Sequence, residues 1–541
     1  MLQASLILVN GKIHTFDNAK PQVTALASYG GRIVATGSDA EVRALAGDNT
    51  RVIDLRGRTA VPGFNDAHNH MLEVGIKLTR IRLDECMSIA EMVELVRDAA
   101  TRTPAGEWVI GEGWNDSNFA EGRLPTRQDL DAATTRHPVL LKRFFNMDVV
   151  NTGALQLAGV DARTPDPAGG KIEHGPDGSP SGILRASAKT LVRRLLPDPS
   201  INECVIALER AAREYNAVGI TSVLDPGLMP WEVRAYQAAR AAGRLTMRMA
   251  LMLSWHGFRE HETEAELDER ASATGLYTGL GDEWLRLNGL KMAVDGGTTS
   301  RTAWMFEPFV GENVVRDFNR LNAADLLRYF TRGHELGWDI GIHAIGDRAH
   351  HESAKAFAAM LDGAPAKRAH RHNLIHAYFA TEESLQHMAR RQLAAVIQPT
   401  FVYYEGDDLF RDVGATLAHR YKPMRTYLDR GIPVIATSDV PSTVGFDPAI
   451  GLYALVTRRT HKGTLIAPQE AVTREEALRA YTVTSPWLTR EEGIKGKLLP
   501  GMLADVAVLD RDYFTIPEEQ IKQMRVELTV LGGDVVHEAR S

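Results

Sequence analysis

Two histidines one residue apart, His68 and His70, follow a Pro-Gly turn in the run Val61-Pro62-Gly63-Phe64-Asn65-Asp66-Ala67-His68-Asn69-His70-Met71. In an extended segment residues i and i+2 project from one face, so both imidazoles point the same way. Neutral imidazoles that converge can chelate one metal ion. Asp66 shares the alternation and is placed to orient one histidine by accepting the proton on the ring nitrogen turned away from the metal. A polar loop with two chance histidines reads the same, so the motif gains its weight from the rest of the chain.

The elements that must position these residues alternate in type. Apolar β-like runs are separated by helical stretches through the middle of the chain, the pattern of a parallel sheet covered by helices. Candidate barrel strands are 59–62, leading into the histidines, then 139–142, 220–224, 246–252, 287–292, 340–343, 374–376, 394–398 and 434–437. Nine runs are one more than a (β/α)8 TIM-like barrel needs, so one is an excursion. Helices are expected over 88–100, 201–217, 323–336, 381–390 and 473–481, with Ser88/Glu91 and Thr473/Glu476 spaced as capping boxes. Residues 161–181, dense in Pro, Gly and Asp, read as an irregular insertion. Both chain ends are β-rich with Gly and Asn turns, which suggests one small β-sandwich assembled from the two termini. The expected boundaries are 1–58 for its N-terminal part, 59–490 for the barrel and 491–541 for its C-terminal part.

Catalytic groups of a barrel come from the carboxyl ends of its strands. Collecting polar residues there adds Lys291, His343, His376 and Asp439 to His68 and His70. Each has an ordinary alternative. A strand-end histidine is often satisfied by a backbone carbonyl, and Lys291 could pair with nearby Asp295. Asp347 is either an outer partner of a ligand, the reading preferred here, or the cap of the helix that follows. Trp114 is a candidate wall of the substrate pocket, although tryptophan after an apolar run is commonly core. The stripe Ala207, Ala211, Ala212 and Tyr215 reads as a packed helix face.

The order and spacing of four histidines, a lysine and an aspartate resemble the amidohydrolase superfamily. The surrounding motifs resemble its amidohydrolase-3 (YtcJ-like) branch, which includes hydrolases of the N-substituted formamide deformylase type. The resemblance runs from Gly31-Arg32-Ile33 to Gly501-Met502-Leu503-Ala504-Asp505-Val506-Ala507, with Lys291-Met292-Ala293-Val294-Asp295-Gly296, His343-Ala344-Ile345-Gly346-Asp347-Arg348-Ala349 and Thr437-Ser438-Asp439 between. One departure is Ile375, where relatives commonly carry Glu before the metal-binding histidine; His376 is preferred to His372 as the ligand. The resemblance implies two divalent ions, zinc first, held by His68, His70, Lys291, His343, His376 and Asp439. Lys291, cationic at its ordinary pKa near ~10.4, would serve as a bridging carbamate formed with carbon dioxide. It further implies attack of a metal-activated hydroxide on an N-substituted amide or formamide. Asp439 would be general base and acid, and His343 would help hold the oxyanion.

Composition narrows the remainder. A net charge of −7 without a basic run argues against a nucleic-acid surface, leaving a small molecule as the expected partner. Two cysteines, Cys86 and Cys204, exclude a disulfide framework or a cysteine-built zinc site. The first residues lack a basic stretch before a short apolar run, so a cytoplasmic protein without a membrane span is expected, with a homodimer as the default assembly. Two other functions fit less of the sequence: a one-metal deaminase of an aromatic or heterocyclic amine, and a catalytically inactive barrel with an assembly or regulatory role.

Overall fold

Eight parallel strands, most of them built around a buried run of Val, Ile, Leu or Ala, form the central sheet of the computed structural model. The model describes residues 3–539 except 117–118, 144–146, 168, 258–261, 274, 316–318, 364–368 and 444. The strands are β1 (Phe64–Asp66), β2 (Ile220–Leu228), β3 (Arg248–Ser254), β4 (Leu285–Ala293), β5 (Ile340–Ala344), β6 (Asn373–His376), β7 (Ala394–Ile397) and β8 (Val434–Ala436). They lie side by side in chain order, every neighbour parallel. This is the (β/α)8 architecture expected. The seam between β8 and β1 carries no strand ladder among the described residues. Just past the strand ends, Asp439 N–H donates to His68 O at 2.8 Å and His70 N–H to Val440 O at 3.0 Å.

Helices alternate with the strands close to where sequence periodicity puts them: Ile201–Ala217, Ala323–Glu335, Glu382–Arg391 and Arg474–Thr482. Thr473 and Glu476 form the reciprocal capping box. At Ser88 only half of it forms, because Glu91 reaches one residue further back and accepts from Met87 N–H at 2.8 Å.

Both termini build one β-sandwich. Val506–Leu509 pairs antiparallel with Thr59–Pro62 inside a six-stranded sheet, and Leu6–Val9 lies in a four-stranded sheet facing it. Leu6, Leu8 and Leu26 of one sheet share a core with Ala60, Val506, Val508 and Val530 of the other. Residues 59–62 therefore belong to this sandwich, and β1 starts only after the Gly63 turn. The sandwich is tied to the barrel by a buried pair: Arg248 Nε donates to Asp505 Oδ2 at 2.7 Å and Arg248 Nη2 to Oδ1 at 3.0 Å.

The ninth run is the excursion. Val139–Arg143 lies in a separate compact unit, Val74–Arg210, within a six-stranded sheet ordered Gly170–His174, Pro180–Ala186, Met147–Val150, Val139–Arg143, Val109–Glu112 and Ile81–Arg82. A buried apolar run looks the same in either sheet, so periodicity alone could not assign it. The insertion into the expected 59–490 barrel is thus far larger than 161–181. Nor is that stretch irregular throughout: apart from residue 168, outside the described residues, it contains a hairpin whose turn is closed by Gly175 N–H to Ser179 O at 2.8 Å. Trp114 belongs to this unit's core, fully buried, its indole N–H donating to Leu141 O at 3.1 Å. Its place is the core position rather than an open pocket wall. Among the described residues no helix is long and apolar enough to cross a membrane.

Candidate metal centre

His68 and His70 sit just beyond β1, and Asp439 just beyond β8, so the seam brings them together. His68 Nε2 and His70 Nε2 lie 3.3 and 3.4 Å from Asp439 Oδ1. One ligand atom from each of the three falls within 4.8 Å of the others. Lys291, two residues before the end of β4, places Nζ 3.3 Å from His68 Nε2. His343 on β5 and His376 on β6 stack edge to face with ring centroids 4.3 Å apart, and His376 lies 5.7 Å from His68. His376 Nδ1 is 3.9 Å from Asp439 Oδ2. All six candidates thus occupy the carboxyl end of the barrel. Two of them stand on left-handed backbone, His376 at φ 75° and Asp439 at φ 60°, a conformation that bulky residues adopt at a cost of order ~1–3 kcal/mol when the surroundings enforce it.

Burial favours the neutral ring at three of the four histidines, and His70 is the exception. Burial, with the Lys291 charge adding to it, pushes His68 and His343 down to about 3. Burial also holds His376 well below the usual imidazole range. For His70 burial is outweighed by the hydrogen bond and charge of Asp439 and by the charge of Asp225, and its pKa rises. Burial pushes Lys291 down to about 7 against the pull of Asp439. Asp439 is held well below the usual carboxylate range, because its bonds from His68 and His70 outweigh burial.

The donor set fits divalent ions. His343 Nε2 is engaged by Gly296 O at 3.0 Å, which leaves Nδ1 with the lone pair. His376 Nδ1 is engaged by Gln398 Oε1 at 3.0 Å, which leaves Nε2. Such outer partners fix ligand tautomers. Nitrogen with hard oxygen and no sulfur suits zinc, with manganese, iron or cobalt also compatible.

Two expected outer partners act elsewhere. Asp66 contacts no histidine side chain through its hydrogen bonds: Oδ1 accepts from Ser438 N–H at 2.9 Å and from the Thr437 hydroxyl, and Oδ2 accepts from Asn69 Nδ2 at 2.8 Å and from the Ser438 hydroxyl. Four donors fill the carboxylate's lone pairs, so it fastens the β1–β8 seam instead of a ring N–H. Asp347 accepts from Phe306 N–H at 2.9 Å and Arg348 N–H at 2.8 Å, pinning the segment before it rather than a ligand. The carboxylate near His343 is Asp295, 3.7 Å from Nε2 and bonded by the N–H groups of Trp304, Ile345 and Gly346 at 2.8–3.1 Å. Those three donors occupy the group that the sequence offered as an ion-pair partner for Lys291.

Sequence reasoning missed three residues. Asp225 lies 3.9 Å from His70 Nδ1 and accepts from Leu72 N–H at 3.1 Å and from the Tyr236 hydroxyl. It follows the apolar run 220–224 directly, so the strand-end rule would have found it. Gln398 follows β7 in the same way. Lys422, from an irregular segment, donates to Gln398 Oε1 at 2.9 Å, and no sequence pattern signals it. Tyr215 is also more than packing, for its hydroxyl donates to Asn69 Oδ1 at 2.7 Å.

Fold and site together define a (β/α)8 barrel with a cluster of histidines and an aspartate at its mouth that could hold a metal ion. A family model described as amidohydrolase family matches residues 51–537. The putative amidohydrolase YtcJ of Bacillus subtilis is 28% identical over 538 residues, covering 98% of each chain. The N-substituted formamide deformylase of Arthrobacter pascens is 28% identical over 542 residues, again 98% of each. The crystal structure of an uncharacterized metal-dependent hydrolase from Pyrococcus furiosus superposes with a TM-score of 0.75 at 26% identity, covering 94% of this chain and all of that one. The chain belongs to the amidohydrolase family, a class of hydrolases acting on carbon–nitrogen bonds other than peptide bonds.

Proposed function

We propose that this chain hydrolyses the carbon–nitrogen bond of an N-substituted amide or formamide. The observation that carries the reading is the convergence of His68, His70, Lys291, His343, His376 and Asp439 at one end of the barrel. The likeness to the Arthrobacter deformylase supports the substrate class.

Two divalent ions, when bound, would supply an activated water and polarise the substrate carbonyl. Everything else falls to the chain's own groups. His68, His70 and Asp439 would hold one ion and His343 and His376 the other. Lys291, its amine pushed down to about 7, is neutral often enough to add carbon dioxide. With carbon dioxide its amine would give up one proton and become an anionic carbamate, a charge that would help neutralise the bound ions. Asp439 carries the proton traffic: it accepts a proton as the tetrahedral carbon forms, then gives it to the departing amine nitrogen as the carbon–nitrogen bond breaks. His343 gives its Nε2–H to Gly296 O and keeps Nδ1 for the ion, so its ring has no N–H left for the developing oxyanion and the expected oxyanion role is not carried further.

The compact His68–His70–Asp439 group could by itself hold a single ion, which favours as second reading a one-metal deaminase. Metal content per chain separates them, measured with and without bicarbonate and compared with Lys291→Ala. The expected result is two ions in the native chain, one or none in the variant, and release of formate or another carboxylate with a free amine from N-substituted substrates. One ion indifferent to Lys291, with ammonia as product, would favour the deaminase; no ion after reconstitution would overturn both.

A further inference from the structure

Gln398 is fully buried at the carboxyl end of β7, and its two amide ends differ. Oε1 receives His376 Nδ1 at 3.0 Å and Lys422 Nζ at 2.9 Å, whereas Nε2 is buried with no partner among the described residues. A side-chain amide can turn over and exchange its ends, so something must hold the oxygen inward. Lys422 can. Its amine is a donor, and facing the amide nitrogen would set donor against donor.

Lys422 is itself fixed. It is fully buried, its backbone N–H donates to Tyr378 O at 2.8 Å, and Nζ stands 3.8 Å over the Tyr378 ring, with Phe401 and Tyr421 at 5.0 and 5.3 Å. Burial holds the pKa of this amine well below the usual lysine range against the pull of Glu405 and Asp439, while the aromatic faces attract its N–H groups and hold them on the ring axis. With the amide oxygen locked, His376 Nδ1 faces an acceptor, Gln398 Oε1 at 3.0 Å. A ring nitrogen held against an amide oxygen carries the proton, and the lone pair is then on Nε2.

We infer that Lys422 is a positioning residue: through Gln398 it fixes the proton of His376 on Nδ1 and thereby readies Nε2 as a ligand nitrogen. This rests on the reading of His376 as a ligand. Loss of such an outer partner lowers metal affinity by about 10–100-fold.

The test uses the full chain, 15N-labelled at histidine, in metal-free form and during titration with Co2+ alone. Native protein should show His376 protonated on Nδ1 before metal is added. Lys422→Met should give a mixture of tautomers and weaken one of the Co2+ affinities by about 10–100-fold. In the double variant Gln398→Glu/Lys422→Met, a carboxylate presents oxygen whichever way it turns, so the tautomer and the affinity should return. A lysine that merely filled space would not be rescued this way. Thermal midpoints of the metal-free variants check that each is folded. The inference is overturned if native His376 carries its proton on Nε2, or if folded Lys422→Met keeps native tautomer and affinity. A native chain with the Nδ1 proton in place but no bound Co2+ would overturn the metal reading, and with it the purpose assigned to Lys422.

Discussion

The barrel buries charge at both ends, and the two ends handle it differently. Beside the sandwich, the guanidinium of Arg248 meets Asp505 in two parallel bonds of 2.7 and 3.0 Å, gives a third to Glu283 O at 3.0 Å and lies 4.4 Å from the Trp284 ring centre. Each of the three guanidinium nitrogens meets an acceptor. At the mouth, Asp439 has two imidazoles 3.3–3.4 Å away and a third at 3.9 Å, with the Lys291 amine 3.3 Å from one of them. These groups crowd round one carboxylate, which takes hydrogen bonds from two of the imidazoles. The end with Arg248 is built for stability; the crowded end brings together groups that could hold a metal ion.

That contrast can be broken at either end. Asp439→Asn should lower the hydrolysis rate by about 10²–10⁴-fold, the usual worth of a positioned acid–base group, while the melting transition of the metal-free protein hardly moves. A variant that kept its rate would remove Asp439 from the chemistry. Arg248→Met strips a buried carboxylate of its partner and should cost about 3–5 kcal/mol in urea unfolding, with the rate per folded molecule unchanged. A loss of under ~1 kcal/mol would show that Asp505 finds other donors in the variant.

Chelation sharpens the comparison further. A ligand present at a hundred times its dissociation constant stabilises by about 2.7 kcal/mol, so adding chelator should lower the calorimetric midpoint of the native chain. The same drop in Arg248→Met would show the two ends to be independent; unequal drops would couple them. A last effect concerns a buried histidine on the helix that follows β5. His350, packed between the Ser384 hydroxyl and the Tyr427 hydroxyl at 3.0 Å each, is pushed by burial down to about 3. Because its folded pKa lies below the unfolded value near ~6.5, its contribution is complete above that pH and is lost as pH falls toward 3. The slope should reach up to ~1.4 kcal/mol per pH unit, and His350→Gln should flatten the acid side of the stability profile by that amount.

How much of this could be read beforehand depended on whether the determining contact was local. Strand-end residues such as Lys291, His343 and Asp439 announce themselves because each follows or ends an apolar run, and a parallel barrel gathers such ends. Asp225 obeys the same rule, directly after the run 220–224, and the strand-end collection above lacks it. Lys422 obeyed no rule: its importance lies in contacts with Tyr378 and Gln398 from other parts of the chain. Residues 139–142 were assigned to the wrong sheet because two-sided burial gives the same string of letters wherever the sheet lies. Asp66 was recognised as important for the wrong partner, its alternation with the histidines being visible and its bonds to Thr437 and Ser438, hundreds of residues on, not.

Those bonds have one more consequence. A cask is held by its hoops, and this one has a joint between its first and last staves where side chains stand in for the ladder. The histidine pair is mounted on one stave of the joint and Asp439 on the other, so an ion gripped by all three would act as a clasp across it. Loosening Asp66 or Ser438 would then be felt twice over: as faster amide exchange in β1 and β8, and as a jaw that no longer closes to the width of an ion.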